Sequence, residues 1–244
     1  MVDADNWHDA DWPAPAGIRA GTSLRHGGVS QQPFDSFNFA LHVGDKPHHV
    51  EQNRRQLIKT LDLPQQPSWL IQQHTTQVIN ADKSTQQPIA DASFAQSTGV
   101  VCAVLTADCL PILLCDEEGK QIAAVHAGWR GLLNGIIEKT VATFQLKPIL
   151  AWLGPAISQQ AFEIGEEVRS AFVEHSNQAE CAFLHGRVGK WHADLYQLAI
   201  MRLNDSDVTK IYGGGFCTFN EQERFYSYRR SRQTGRMASL IWKQ

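Results

Sequence analysis

The chain has 244 residues, 43% of them hydrophobic and 19% charged, with a formal net charge of −3, a composition typical of a globular protein with a sizeable core. The negative net charge argues against a protein that binds nucleic acid through bulk electrostatics. No apolar run approaches the ~20 residues that a membrane span needs. The N-terminus lacks a basic region followed by an apolar one, so we expect no signal peptide. Five scattered cysteines without a CxxC pair favour a reducing, cytoplasmic location.

The hydrophobic pattern predicts a succession of strands and helices. We expect residues 1–17 to be an extended N-terminal lead-in and residues 18–244 to form one domain, because no linker, repeat or low-complexity tract interrupts them. Apolar spacing predicts helices from about residue 47 and over 133–144, 162–172 and 193–203. Extended apolar runs predict strands at 18–24, 69–71, 78–79, 149–153 and 237–242, with a strand-like segment over 208–219 and a polar loop over 81–98.

The stretch from Val100 to Arg130 is the centre of this pattern. Two apolar runs flank a polar turn that ends in Gly119, which predicts a β-hairpin. A symmetric turn over residues 116–119 would place Cys109 directly opposite His126, whereas a turn centred one residue later would place it opposite Gly128. We favour the first register, because Cβ atoms of opposed residues lie roughly 4.5–5.5 Å apart and one metal ion can bridge that gap.

A third candidate ligand is His74, on a polar turn between two predicted strands. One Cys and two His would give zinc three protein ligands and leave a fourth position for water or substrate, as in catalytic sites. The spacing matches no short metal-binding motif, and each residue alone can equally be a core thiol or a hydrogen-bonded core histidine. The alternatives therefore stay open at this point.

Arginines beside glycine- or serine-bearing segments form a second candidate group. A guanidinium group can bind phosphate or carboxylate through two parallel hydrogen bonds. We expect Arg25 and Arg130 to reach a pocket because they adjoin Gly-rich turns, and Arg232 and Arg236 to be solvated. Asp108, next to Cys109, is a candidate general acid or base, or a partner that orients a ligand histidine.

Several common catalytic motifs are missing from the sequence. A cytidine-deaminase site would need a Pro-Cys-x-x-Cys element, which is absent although His49-Val50-Glu51 is present. The glycines at 213–215 lack the GxGxxG context, and neither GxSxG nor HExxH occurs.

At the level of motifs, the chain resembles the YfiH-type, or laccase-domain, family. The two signature blocks match Thr106 to Leu114 (TADCLPILL) and Ala124 to Gly131 (AVHAGWRG). Further matching blocks extend almost from end to end: RHGGVS at 25–30, HVGD at 42–45, NRR at 53–55, QH at 73–74, WLGPAI at 152–157, DL at 194–195, CT at 217–218, FYSYRR at 225–230 and TGRMA at 234–238.

The resemblance implies a single α+β domain of layered mixed β-sheets and helices, similar to YfiH-like cysteine hydrolases. It also implies that the metal ligands are His74, Cys109 and His126, with Cys109, His126 and Asp108 as the catalytic residues. Arg25, Asn38, Arg130 and Arg230 are the expected substrate-binding residues. Ser23-Leu24 and Thr75-Thr76 depart from the usual family pattern beside the expected pocket, which leaves the fine substrate preference open.

Members of this family have been described as polyphenol oxidases, as purine nucleoside phosphorylases with adenosine deaminase activity, and as peptidoglycan-editing hydrolases. A multicopper laccase needs about four coppers on paired His-x-His motifs, and this sequence has no His-x-His, so we favour zinc over copper and disfavour oxidase activity.

We therefore expect a zinc-dependent monomer that acts on purine nucleosides and phosphate. The expected reactions are phosphorolysis of adenosine, inosine, guanosine and methylthioadenosine, and deamination of adenosine. The runner-up is a hydrolase that removes L-Ser from a UDP-linked cell-wall precursor. Two further alternatives are a metal-free Cys–His hydrolase and a non-enzymatic binding protein.

Overall fold

A computed structural model describes residues 6–84 and 87–244 of the chain. The strands are β1 (Trp7–Asp9), β2 (Ile18–Ser23), β3 (Val78–Asn80), β4 (Ala92–Ala95), β5 (Val101–Thr106), β6 (Leu110–Asp116), β7 (Ile122–Ala127), β8 (Ile149–Leu153), β9 (Glu163–Gly165), β10 (Phe183–His185), β11 (Lys190–Ala193), β12 (Lys210–Gly213) and β13 (Met237–Lys243). The α-helices are α1 (Pro47–Thr60), α2 (Trp129–Asn134), α3 (Ile136–Val141), α4 (Glu166–His175) and α5 (Leu195–Asp205).

The strands form three sheets. A six-stranded sheet has the order β12-β8-β6-β7-β4-β3, a four-stranded sheet has the order β1-β2-β13-β5, and a three-stranded sheet has the order β10-β11-β9. The six-stranded sheet is mixed, because the β12–β8 and β3–β4 pairs are parallel and its other pairs are antiparallel. This architecture confirms the expected α+β class with layered mixed sheets.

The alternation of side chains along the central strand β6 explains why the six-stranded sheet packs against other elements on both faces. Ile112 and Leu114 of β6 belong to a core cluster shared with α2 to α5, whereas Leu113 and Cys115 pack in a second cluster with Cys102 of β5. Successive side chains of a strand point to opposite faces of a sheet, so both faces of the six-stranded sheet are buried. The far side of the four-stranded sheet packs in a third cluster that includes Leu57 of α1.

The N-terminal lead-in and the segment 81–98 contain strands that the sequence pattern did not predict. Within the lead-in, β1 pairs with β2, while residues 1–5 lie outside the described residues. The expected loop over 81–98 contains β4, which pairs with β7. That loop prediction is wrong, because small residues in a polar segment hid a buried strand.

Two other predicted elements differ from the structure. The helix expected over 133–144 is two short helices, because Gly135 adopts a left-handed φ of 91° and ends α2. Residues 69–71 form no strand, because this segment pairs only through isolated bridges at its two ends, Ser68 with Cys102 and Ile71 with Ile89. Within the described residues, no helix is both long and apolar enough to cross a membrane.

Candidate metal centre

His74, Cys109 and His126 come together as predicted from the sequence. Their ligand atoms all lie within 4.8 Å of one another, and the Cys109 Sγ atom is 3.7 Å from His74 Nε2. Zinc binds nitrogen at ~2.0–2.1 Å and thiolate sulfur at ~2.3 Å in tetrahedral geometry, which places ligand atoms roughly 3.5 Å apart. The donor set therefore fits one zinc ion after small side-chain adjustments.

The three residues arrive from different parts of the fold. Cys109 lies in the short connection that carries the chain from β5 in one sheet to β6 in the other, and His126 lies near the end of β7. His74 lies in the segment before β3 with a left-handed φ of 58°, a conformation that is uncommon for a residue with a side chain.

The predicted hairpin register is wrong, and the alternative register is the one observed. Leu110 pairs with Ala127 and Pro111 with His126, so the ladder continues toward Cys109 opposite Gly128. A Cβ atom on Gly128 would lie 3.0 Å from Cys109 Sγ and 2.9 Å from His74 Cδ2. Only glycine leaves room there for both ligands, because real Cβ atoms do not approach other atoms so closely.

Asp91, which sequence reasoning missed, orients both histidines. Its Oδ1 atom accepts hydrogen bonds from His126 Nδ1 at 2.7 Å and from the His74 backbone N–H at 3.0 Å. Its Oδ2 atom accepts from the backbone N–H groups of Gln73 and Thr75 and from the Thr75 hydroxyl. Because His126 Nδ1 donates to this carboxylate, its Nε2 atom is left available as a metal ligand.

The same contacts set the charge of the site. Burial alone would raise the pKa of the Cys109 thiol, but the charges and hydrogen bonds of His126 and His74 lower it to about 6. Burial would lower the pKa of His126, but Cys109 and Asp91 raise it to about 9. Burial likewise opposes ionisation of Asp91, but His126 and Thr75 lower its pKa to about 2. Without a metal, these contacts favour the thiolate form of Cys109 and the protonated form of His126.

A cavity of about 480 Å³ opens onto the three ligands. Ligand pockets usually measure roughly 300–1,000 Å³, so the space suits a small molecule. Besides the ligands, its walls are formed by His42, Gln72, Leu105, Thr106, Ala107, Asp108, Trp129, Arg130, Ile157, Phe162, Leu195, Tyr228, Arg229 and Arg236.

Asp108 lines this cavity, but neighbouring groups engage both of its carboxylate oxygens. The Thr218 hydroxyl donates to Oδ1 at 2.7 Å, and the Arg229 backbone N–H donates to Oδ2 at 2.6 Å. It is Asp91, rather than Asp108, that contacts a ligand histidine.

The predicted substrate-binding residues divide between the cavity and its supports. Arg130 lines the cavity, whereas Arg25, Asn38 and Arg230 are not among the lining residues. Arg25 bonds to Asp35 and to the Gln222 carbonyl, and Arg230 donates to three backbone carbonyls. Arg236, which we expected to be solvated, lines the cavity instead. That expectation is wrong, because Arg236 is partly buried and donates to the Thr234 and Gly235 carbonyls.

Asn38 supports the cavity wall from behind. It is fully buried, and its Oδ1 atom accepts hydrogen bonds from the backbone N–H groups of Arg236 and Ala40. Its Nδ2 atom donates to Asp45 and to the Ala40 carbonyl.

Comparisons with known proteins agree with this fold. The chain is 52% identical over 241 residues to a purine nucleoside phosphorylase from Pseudomonas aeruginosa, covering 98% of each chain. It is 51% identical to the purine nucleoside phosphorylase YfiH of Escherichia coli, covering 95% and 96% of the two chains. A crystal structure of a Neisseria meningitidis protein superposes with a TM-score of 0.95 at 46% identity, over 98% of this chain and 99% of that one. The structure of YlmD from Geobacillus stearothermophilus superposes with a TM-score of 0.93 at 29% identity, over 100% and 98% of the two chains.

The match to a family covers nearly the whole chain and includes all three candidate ligands. Residues 19–244 match the family described as multi-copper polyphenol oxidoreductase laccase. Among the described residues, the only group of three or more His, Cys, Asp or Glu side chains placed to hold a metal ion is the trio at the cavity. The chain belongs to this laccase-domain family, whose relatives include proteins named YfiH and purine nucleoside phosphorylase.

Proposed function

We propose that this protein is a cytoplasmic, zinc-dependent enzyme of purine nucleosides. The proposed reactions are phosphorolysis of adenosine, inosine, guanosine and methylthioadenosine, and deamination of adenosine. The observation that carries the proposal is the His74–Cys109–His126 group at a cavity of about 480 Å³, supported by relatives that bear the name purine nucleoside phosphorylase.

The donor set supports zinc and one ion per chain. Two imidazoles and one thiolate are ligands that zinc prefers, and three protein ligands leave one position for a substrate or water. When bound, zinc supplies a Lewis acid at the cavity. The protein's own part is to keep Cys109 ionised and His126 in the correct tautomer, which the Asp91 hydrogen bond favours.

The cavity walls offer groups for both halves of a nucleoside–phosphate pair. Arg130, Arg229 and Arg236 can supply positive charge for phosphate, since guanidinium groups bind its oxygens two at a time. Aromatic side chains at Trp129, Phe162 and Tyr228 offer faces for a purine ring. Asp108 stays a proposed catalytic residue, although its contacts favour a role in positioning the backbone of Arg229.

A metal-free thiol hydrolase is the second candidate, because Cys109, His126 and Asp91 form a nucleophile–base–carboxylate series. The Asp91 carboxylate accepts from His126 Nδ1 at 2.7 Å, which is the contact that orients the base in such triads. A thiol triad has no need of His74, yet His74 Nε2 lies 3.7 Å from the thiol sulfur and is fixed by the same Asp91. We therefore favour the metal.

The test is a paired incubation of zinc-loaded and chelator-treated protein. One reaction contains inosine or adenosine with phosphate, and the other contains UDP-MurNAc-L-Ser-D-Glu, with products read by mass spectrometry. We expect free purine and ribose-1-phosphate from the first, and inosine from adenosine, at rates far above those of Cys109→Ala.

Three outcomes would contradict the proposal. Free serine from the second reaction with little product in the first would make peptidoglycan-precursor editing the function. Full activity after complete zinc removal would favour the thiol hydrolase. No turnover in either reaction by protein that retains one zinc ion per chain would reject both enzymatic assignments.

A further inference from the structure

His42 lines the cavity and has no role in the site described so far. Among the cavity residues with an imidazole, thiol or carboxylate group, His74, Cys109 and His126 form the metal group. Both carboxylate oxygens of Asp108 accept hydrogen bonds. His42 alone is left, in the HVGD segment whose chemistry the proposed function does not use.

The His42 side chain is exposed at the cavity and unpaired, and the residues that follow it are anchored by Asp45. It lies in a one-turn 3-10 helix, Leu41–Val43, and its imidazole makes no hydrogen bond with any other described residue. The turn ends at Gly44 with a left-handed φ of 99°, followed by the buried Asp45. Asp45 accepts hydrogen bonds from the Ser30 hydroxyl at 2.6 Å and from Asn38 at 2.9 Å.

Asn38 links this turn to the arginine that faces the metal group. It donates to Asp45 and accepts from the Arg236 backbone N–H at 3.0 Å, so both segments share one buried anchor. The charge of Arg236 interacts with both the metal group and His42. Burial lowers the pKa of Arg236, whereas the negative charges of Cys109 and Asp108 raise it. Burial, Arg236 and Arg54 all lower the pKa of His42, which favours a neutral imidazole with one N–H donor.

A second polar group of the wall also lacks a partner. Thr106 is 2% exposed, lines the cavity, and its hydroxyl has no hydrogen-bond partner. Because this hydroxyl oxygen is itself buried, it does not present a donor to the cavity. His42 is therefore the unpaired neutral donor of the wall, beside the charged part at the metal group and Arg236.

We propose that His42 is a catalytic residue that recognises the purine, its imidazole N–H donating a hydrogen bond to purine N7 as the glycosidic bond breaks. This inference rests on the proposed function. The C1′–N9 electron pair moves into the purine ring, and a phosphate oxygen forms the new bond to C1′. Hydrogen phosphate loses its proton to solvent on becoming the sugar phosphate. The purine anion takes up one proton from solvent, so protons balance. His42 contributes a fixed dipole where negative charge develops and is not itself consumed.

The experiment compares His42→Ala and His42→Gln with the unmodified zinc-loaded protein. His48→Ala is the matched control, an exposed histidine in α1 that is not among the lining residues. Removal of a donor at developing charge lowers kcat by about 10²–10³-fold. We expect such a loss for His42→Ala with inosine and phosphate, with KM changed far less and zinc content unchanged. His42→Gln retains an N–H donor and should recover part of the loss.

A binding measurement identifies the atom that His42 contacts. In 7-deazainosine a C–H group replaces N7, so it cannot accept this bond. Unmodified protein should bind it about tenfold more weakly than inosine, as one lost hydrogen bond predicts, and His42→Ala should bind the two equally.

Two results overturn the inference while leaving the proposed function intact: unchanged kcat in His42→Ala, or an undiminished preference for inosine over 7-deazainosine in that variant. Failure of the unmodified protein to release ribose-1-phosphate would instead reject the proposed function and this inference together.

Discussion

Cys109 differs sharply from the two cysteines on the neighbouring strands. Cys102 and Cys115 lie inside β5 and β6, are fully buried, and have pKa values raised to about 12, mainly by burial. Cys109 lies where the chain leaves one of these strands for the other, and its pKa falls to about 6 because two imidazoles are close. The same side chain is thus a small apolar core group within a strand and an ionisable candidate metal ligand just beyond the strand's end.

Burial raises the pKa values of the thiols within the strands, and the two neighbouring imidazoles outweigh burial at Cys109. Inside the strands, the thiols of Cys102 and Cys115 pack in an apolar cluster with Leu113 and Ala124. At the strand ends, Asp91 fixes His126 and His74 beside Cys109, and Gly128 keeps the approach open. Three experiments test this contrast.

The largest effect is expected from exchanging single cysteines. Cys109→Ala removes a ligand, so bound zinc should fall from about one ion per chain to near zero and activity by at least about 100-fold. Cys102→Ala should retain both and lose only some stability, because it leaves a small cavity in the core. Metal analysis, kinetics and thermal unfolding measure the three quantities. Zinc and full activity in Cys109→Ala would end the metal assignment.

A tenfold to hundredfold effect is expected from Asp91→Asn. Loss of a carboxylate that orients a ligand histidine typically weakens metal binding by about 10–100-fold. The matched control is Asp116→Asn, since Asp116 is also buried and accepts from three backbone N–H groups, but in the β6–β7 turn and without a histidine. Competition with a chelator gives the two zinc affinities. Equal weakening in both variants would mean that Asp91 acts only through stability.

The smallest effect is a shift on the pH axis. In metal-free protein, the Cys109 thiolate should be lost as pH falls through about 6, so alkylation by iodoacetamide should be half-maximal there and slow about tenfold per unit below. Cys102 and Cys115 should stay unreactive to pH 9, because burial raises their pKa values to about 12. Peptide mass spectrometry follows each thiol separately. His126→Ala should move the Cys109 midpoint upward, and an unmoved midpoint would contradict the assigned cause.

The motif resemblance implied His74, Cys109 and His126 as one group, and the structure brings these three side chains together. The apolar runs alone left the alternatives open and favoured the wrong hairpin register. The register depends on Asp116, whose side chain accepts from the backbone N–H groups of Glu118, Lys120 and Gln121. The Asp116 backbone N–H still donates to the Gln121 carbonyl. The strand pairing is therefore shifted by one position from the symmetric turn, which brings Gly128 opposite Cys109. Side-chain capping of this kind has no signal in hydrophobic periodicity.

Asp91 and Arg236 show a second reason why sequence reasoning was incomplete. Both are charged residues in polar segments, so the pattern favoured solvated positions. Asp91 can be fully buried because its carboxylate accepts hydrogen bonds from His126 Nδ1 and from the backbone N–H groups of residues 73–75. Alanines at 90 and 92 were the available signal, since small apolar neighbours are unusual for a solvated acid. These long-range partners become visible only in the folded chain.

Because the three candidate ligands are far apart along the chain, a bound metal ion would also affect the stability of the fold. His74 and Cys109 are 35 residues apart, and the segment that carries His74 belongs to neither large sheet. One ion bonded to all three side chains closes two chain loops at once, much as a disulfide does, and joins that segment to both neighbouring strands. If the proposed zinc binds only the folded state, it would also act as a reversible cross-link, and the free energy of unfolding would rise with the zinc concentration.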